Sequence, residues 1–141
     1  MRYVLDSNIS LKWVMIEADS DKACQLRDEF QRQIHDLLAP DIFPVEVAHG
    51  LAKAERRGVI HQGDAEKLLA NVLSTPPSLH PYLPLLRRAI EIASPARGGV
   101  YDCLYVALAE REGCELLTAD DRLIRSLRPA FAFIRSLADL P

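Results

Sequence analysis

The stretch Arg2-Tyr3-Val4-Leu5-Asp6-Ser7-Asn8 decides the fold of this chain, because an apolar run begins at the first residues and stops on a carboxylate. Tyr3, Val4 and Leu5 show no alternation of apolar and polar positions. That is the pattern of a strand covered on both faces, although periodicity by itself equally describes a buried helical turn. The polar triplet after it halts the strand and is able to cap the next helix. In open parallel sheets ligands sit outside the carboxyl ends of the strands, where the strand order reverses, so an acid at this point is placed for chemistry. The other role open to Asp6 is that of N-cap to a helix beginning near Ile9, and the stretch alone does not choose between them.

The 141 residues fit one domain, 1–141, and a domain of this size buries about 68 to 70 per cent of the surface its unfolded chain exposes. The composition, 49% hydrophobic and 26% charged, is that of a soluble globular protein. No apolar run approaches the ~18 residues that a membrane span needs, and Asp6 and Lys12 interrupt any signal-peptide core. The cysteines Cys24, Cys103 and Cys114 are odd in number and form no CxxC pair, which indicates the reduced thiols of a cytoplasmic protein. A net charge of -3 argues against a protein that coats nucleic acid through a basic surface. It leaves room for a nuclease whose positive charge is supplied by divalent metals held between carboxylates.

Working outward from the first strand, Ile9 to Met15 suits a short helix packed on the sheet, and Ala23, Leu26, Phe30 and Ile34 set a helix over Asp21 to Ile34. Asp36 to Ala39 forms a second short strand, closed by Pro40. Pro44 to Arg57 opens with proline in its first turn and ends at Gly58, the expected punctuation of a helix. Ala65 to Leu73 is helical and stops at Thr75-Pro76-Pro77. Ser78 to Tyr82 forms a strand only if Pro81 lies at its end or on an edge. Leu83 to Ala93 returns to helical spacing and is broken by Ser94-Pro95. Gly98-Gly99 introduces the most apolar helix, Tyr101 to Arg111. Cys114 to Thr118 is a strand, Asp121 to Leu127 a short helix, and Phe131 to Ile134 a last strand. Strands alternating with helices imply an α/β fold, a parallel sheet with helices on both faces.

Four acids stand out. Asp102 is the exception in the otherwise apolar Tyr101-Asp102-Cys103-Leu104-Tyr105-Val106-Ala107-Leu108-Ala109, where an unpaired carboxylate would cost several kcal/mol. The bland role for it is a first-turn Asp favoured by the helix dipole, worth about 0.3 to 1 kcal/mol. Glu46 lies near the start of its helix with Gly50 and Lys53 on the same side, and the small Gly50 leaves room next to it. Alone, Glu46 reads more simply as a solvated helix residue. Asp120 ends the strand at Thr118 as Asp6 ends the first, and is also an N-cap candidate. If the first strand is central and the chain crosses it between the third and fourth strands, Asp6 and Asp120 face one crevice with Glu46 and Asp102 lowered into it. Two unit charges 4 Å apart cost about 4 kcal/mol at an effective dielectric of 20, so the four together imply a divalent cation. All-oxygen ligation suits Mg²⁺ or Mn²⁺ better than Zn²⁺.

These residues resemble the PIN-domain family, and in size and motif layout the VapC-type toxins of bacterial toxin-antitoxin pairs. Val4-Leu5-Asp6-Ser7-Asn8 is similar to the family's first motif, Pro40-Asp41 followed by Val45-Glu46-Val47-Ala48 to its second, Tyr101 to Glu110 to its third, and Leu117-Thr118-Ala119-Asp120-Asp121-Arg122-Leu123 to its fourth. The resemblance covers nearly the whole chain. It implies a PIN-like three-layer sandwich around a mostly parallel five-stranded sheet of order 3-2-1-4-5. It also implies metal ligation by Asp6, Glu46, Asp102 and Asp120, and Mg²⁺- or Mn²⁺-dependent endonucleolytic cleavage of RNA. The partners it implies are a VapB-type antitoxin whose C-terminal tail occupies the groove, and a second copy of the chain in a homodimer, with no membrane.

His49 stands where relatives often carry Asn, and Cys103 where Ala is common; neither removes a ligand. Ser7 and Thr118 are hydroxyls placed to orient the carboxylates. Lys12, Arg97 and Arg122 are the basic residues nearest the acids in sequence, and none is singled out for RNA. Asp41 is expected to cap the helix after it rather than bind metal. Two other functions remain open at this level. One is a fold of this kind that binds RNA or protein without cutting, which loss of an acid would signal. The other is a receiver-like phosphoryl-transfer domain, disfavoured by Ser7 after Asp6 and by the lack of any Lys beyond Lys67.

Overall fold

The computed structural model describes residues 1–141. Strand β1 (Arg2–Leu5) lies at the centre of a five-stranded sheet. Its successive residues Tyr3, Val4 and Leu5 point to opposite faces and are all buried, so both faces of the sheet are covered. β1 pairs in parallel with β2 (Asp36–Pro40) on one side and with β4 (Glu115–Thr118) on the other. Beyond them β3 (Ser78–His80) pairs with β2, and β5 (Ile134–Ser136) with β4, again in parallel. The order is therefore 3-2-1-4-5 and every pairing is parallel. A receiver-like sheet has the order 2-1-3-4-5, so that alternative is removed.

Seven helices cover the sheet. They are α1 (Ser7–Leu11), α2 (Ser20–Gln31), α3 (Phe43–Arg56), α4 (Asp64–Leu73), α5 (Leu86–Ala96), α6 (Val100–Glu112) and α7 (Asp121–Leu127). α6 lies against β1, β2 and β4, and every residue from Cys103 to Ala109 is buried, which is why that helix has no polar face. Its C-cap Gly113 adopts φ 63, a left-handed conformation that reverses the chain into β4. One apolar cluster joins the sheet to its helices, with Val4, Leu5, Phe43, Leu51, Tyr105, Leu108, Leu116 and Leu117 inside it.

Several boundaries differ from the expectation. α1 stops at Leu11 rather than Met15, and α2 at Gln31, because Gln33 takes φ 63 and turns Ile34 away from the helix. α5 runs through Pro95 to Ala96 instead of breaking at Ser94-Pro95. In the last turn proline forfeits only one intrahelical bond, and the end is closed by Gly98 N–H donating to the Ala93 carbonyl at 3.1 Å. The final strand begins at Ile134, not Phe131. Phe131 and Phe133 stack edge-to-face with ring centroids 6.0 Å apart, and the Ile134 N–H bonds back to the Phe131 carbonyl, so the aromatic pair makes the turn before the strand.

Candidate active site

The site grows out of the pairing between β1 and β4. Leu5 is in register with Leu117, so the next residues on the two strands, Asp6 and Thr118, meet at their carboxyl ends. The Asp6 N–H donates to the Leu117 carbonyl at 3.0 Å, and the Thr118 hydroxyl donates to Asp6 Oδ2 at 2.8 Å. The same hydroxyl oxygen accepts from the Asp120 N–H at 3.1 Å and from Asn8 Nδ2 at 3.5 Å, while Asn8 Oδ1 accepts from the Ala119 N–H at 3.2 Å. Because β1 and β4 are neighbours that lead the chain in opposite directions across the sheet, this is the switch point where a crevice opens.

Asp6 is only 4% exposed. It is also the N-cap of α1, accepting from the Asn8 N–H at 3.4 Å, while it lines the crevice. Burial above all pushes its carboxyl up to about 7; the hydrogen bond from Thr118 opposes that rise, and the charges of Asp102 and Glu46 add to it. Glu46 Oε1 accepts from the Tyr105 hydroxyl at 2.7 Å and from Ser7 Oγ at 3.5 Å. Its carboxyl is raised, first by burial and then by Asp102, against the pull of the Tyr105 bond. Asp102, in the first turn of α6, is raised by burial and by Asp120. Nothing crowds it from the preceding turn: a Cβ on Gly99 would come no nearer to Asp102 Oδ2 than 3.9 Å.

Asp6, Glu46 and Asp102 line one cleft of about 850 Å³. Asp120 is not part of its lining. It caps α7, with Oδ1 accepting from the Arg122 and Leu123 N–H groups at 3.0 and 3.2 Å, and it reaches the cleft through its charge on Asp102 and its bond to Thr118. None of the four acids forms an ion pair with a Lys, Arg or His. Nor are any three His, Cys, Asp or Glu side chains gathered closely enough to hold an ion by themselves.

The PIN domain family model matches residues 3–127, from β1 through α7, with all four acids inside it. The chain belongs to the PIN domain family. Among its relatives, Ribonuclease VapC3 of Pyrobaculum aerophilum is 33% identical over 125 residues, 87% of this chain and 92% of the relative. Ribonuclease VapC12 of Mycobacterium tuberculosis is 34% identical over 124 residues, 87% and 90% of the two chains. The fold is shared with the crystal structure of PAE2754 from Pyrobaculum aerophilum, with a TM-score of 0.69, 22% identity and coverage of 98% of this chain and 93% of that one. It is shared too with VapBC2 from Rickettsia felis bound to a DNA fragment from their promoter, with a TM-score of 0.66, 17% identity and coverage of 96% and 98%.

Within this PIN domain three groups went unread in the sequence. Tyr105 supplies the short bond to Glu46; the signal was a hydroxyl in an otherwise apolar helix, which needs a partner once buried. Asn8 ties α1 to the end of β4. Arg57 stands on the cleft wall, continuing the stripe 46-50-53 on which the sequence itself places Lys53 beside Glu46. Two expectations are corrected. Gly50 does not leave open space beside Glu46: a Cβ there would lie 2.7 Å from Leu11 Cδ1, so the glycine admits the close approach of α1 to α3. Asp41 does not cap α3, whose N-cap is Ile42 with no side-chain bond; it accepts from the Tyr82 N–H at 3.0 Å and ties β2 to the turn after β3.

Proposed function

We propose that this PIN domain, acting as one unit over residues 1–141, is a Mg²⁺- or Mn²⁺-dependent endoribonuclease and the toxin of a VapBC-type pair. Its substrate is RNA, its partner a VapB-type antitoxin, its assembly a homodimer and its place of action the cytoplasm. The observation that carries this is a cleft holding three carboxylates, each harder to ionise than usual and none paired with a cation of the chain. The donors are carboxylate oxygens with hydroxyls behind them, which fits a hard divalent ion. Mg²⁺ keeps several waters and is usually bound by one or two carboxylates, so a preformed set of three is not required. The relatives' description as ribonucleases supports RNA as the substrate.

In this reading Asp6, Glu46 and Asp102 hold the ion, with Asp120 at the cleft's edge. When bound, the ion lowers the pKa of a water and offsets charge on the phosphate and the leaving oxygen. Thr118 orients Asp6 by donating to Oδ2, and Tyr105 with Ser7 orients Glu46. The alternative of a fold that binds without cutting has nothing specific in its favour, since all four acids are present.

The test is Asp102→Asn. It is expected to lower metal-dependent RNase activity by at least about a hundredfold, beyond the 10- to 100-fold typical of groups that only orient a ligand, with an unchanged circular dichroism spectrum. Full activity in the folded variant would refute the proposal.

A further inference from the structure

The cleft has a second chemical character that the acids do not explain. Of the chain's seventeen Lys and Arg residues, most are held in ion pairs or on carbonyl oxygens, such as Lys12 on Glu17 and the Ala18 carbonyl and Arg88 on Glu110. Lys53 and Arg57 are exposed and take part in no ion pair. Arg56, Lys67, Arg97, Arg122 and Arg125 are equally free of ion pairs, but none of those five lines the cleft, whereas Lys53 and Arg57 do. Glu17, the other acid of the cleft wall, is engaged by Lys12 at 3.8 Å, so neither of the two cleft cations is neutralised there.

Their positions are ordered. Glu46 and Lys53 on α3 and Arg57 at its C-cap share one stripe, with the acid at the helix's amino-terminal end and the cations at the other. At about 1.5 Å per residue, Lys53 and Arg57 stand roughly 10 and 16 Å along the axis from Glu46. That is the span of about three and five nucleotides of a strand stacked at ~3.4 Å each.

Resting on the ribonuclease reading, we propose that Lys53 and Arg57 form a phosphate track that lays single-stranded RNA along α3, leading to the scissile phosphate at Asp6, Glu46 and Asp102. An ammonium suits a phosphate as a point charge and a guanidinium suits it as a two-pronged donor. Neither contact reads sequence; the two fix the path of the strand across the cleft.

The experiment titrates a fluorescein-labelled single-stranded RNA of mixed sequence against the full chain in chelator, by anisotropy, over a range of salt concentrations. Wild type is compared with the double variant Lys53→Gln/Arg57→Gln and with Arg56→Gln/Arg125→Gln, which removes the same charge away from the cleft. Two lost phosphate contacts lower the slope of log K against log salt by about 1.4, at about 0.7 per contact for single strands. The off-cleft variant is expected to keep the wild-type slope, and in metal the cleft variant to show its loss in KM rather than kcat. An equal slope in wild type and cleft variant, or an equal drop in both variants, would overturn the track. Failure of wild type to cut RNA in metal would instead sink the ribonuclease reading, so the two failures are distinguishable.

Discussion

Replacing Asp6 by Asn is expected to stabilise the metal-free protein. The carboxyl is raised from 3.8 to about 7, chiefly by burial. At about 1.4 kcal/mol per pH unit the ionised group costs the fold roughly 4 kcal/mol. The folded chain therefore binds the proton of Asp6 more tightly than the unfolded chain, so between about pH 4 and 7 it carries more protons and stability falls as pH rises through that window. Above about pH 7 the full cost is present. Asn removes the charge but has one acceptor oxygen where Asp6 uses two, one for the Asn8 N–H cap and one for the Thr118 hydroxyl, so it keeps one of those bonds and loses the other, worth about 1 kcal/mol. For a chain of this length about 3 °C follows each kcal/mol, which sets a ceiling near 12 °C at pH 8. The variant's advantage is expected to shrink towards zero by pH 4. Asp6→Ala should gain less, because it also discards a cap worth about 0.5–2 kcal/mol. Scanning calorimetry in chelator from pH 4 to 8 reads the difference. Adding Mg²⁺ should then raise the melting temperature of wild type more than that of the variant, since binding to the folded state stabilises it. A metal-free Asp6→Asn protein melting clearly below wild type at pH 8 would show that the charge contributes little and that Asp6 serves mainly as a cap.

Three further substitutions probe what surrounds the acids. Tyr105→Phe removes the 2.7 Å bond to Glu46; it is expected to cost about 1.5–3 kcal/mol, the worth of a bond to a charged group, and to raise the Mg²⁺ concentration for half-maximal activity about tenfold. An unchanged metal requirement would leave Tyr105 with a packing role alone. Thr118→Val takes the donor from Asp6, and because that bond favours the ionised carboxyl, its destabilisation in chelator should be larger at pH 8 than at pH 5; the reverse order in thermal melts would contradict the assignment. Gly50→Val should destabilise by about 1–3 kcal/mol through its clash with Leu11, whereas Gly50→Ala, which regains up to about 1 kcal/mol of helix propensity and meets only the end of a flexible side chain, should lie near wild type in urea melts.

Much of this was legible along the chain because it depends on local pattern. Tyr3-Val4-Leu5 reads as a strand buried on both faces since adjacent positions are all apolar, and α6 reads as a buried helix for the same reason. The strand order 3-2-1-4-5 was legible only through the resemblance to the PIN-domain family, since local pattern does not fix which strands are neighbours. What escaped depends on residues distant in sequence: the Tyr105–Glu46 bond spans 59 positions, and nothing in either neighbourhood names the other. The ends of α2 and the start of β5 escaped because they are set by a left-handed residue, Gln33, and by an aromatic turn, not by hydrophobicity.

The uncertainty over Asp6 and Asp120, cap or ligand, had a different origin. In a parallel sheet the residue after a strand is both the start of the next helix and the rim of the crevice, so cap and ligand positions coincide by construction. A carboxylate has two oxygens and about four lone-pair sites, and the two acids divide them differently. Asp120 gives one oxygen, Oδ1, to both helical N–H groups, which leaves Oδ2 without a protein donor. Asp6 gives one oxygen to Asn8 and the other to Thr118, so each keeps a lone pair but neither is wholly open. Capping therefore leaves both acids able to face a cation. It follows that at Asp120 asparagine, whose one oxygen can still take both helical N–H groups, separates cap from charge. At Asp6 it loses one of two bonds together with the charge, and alanine at either position would remove both roles at once.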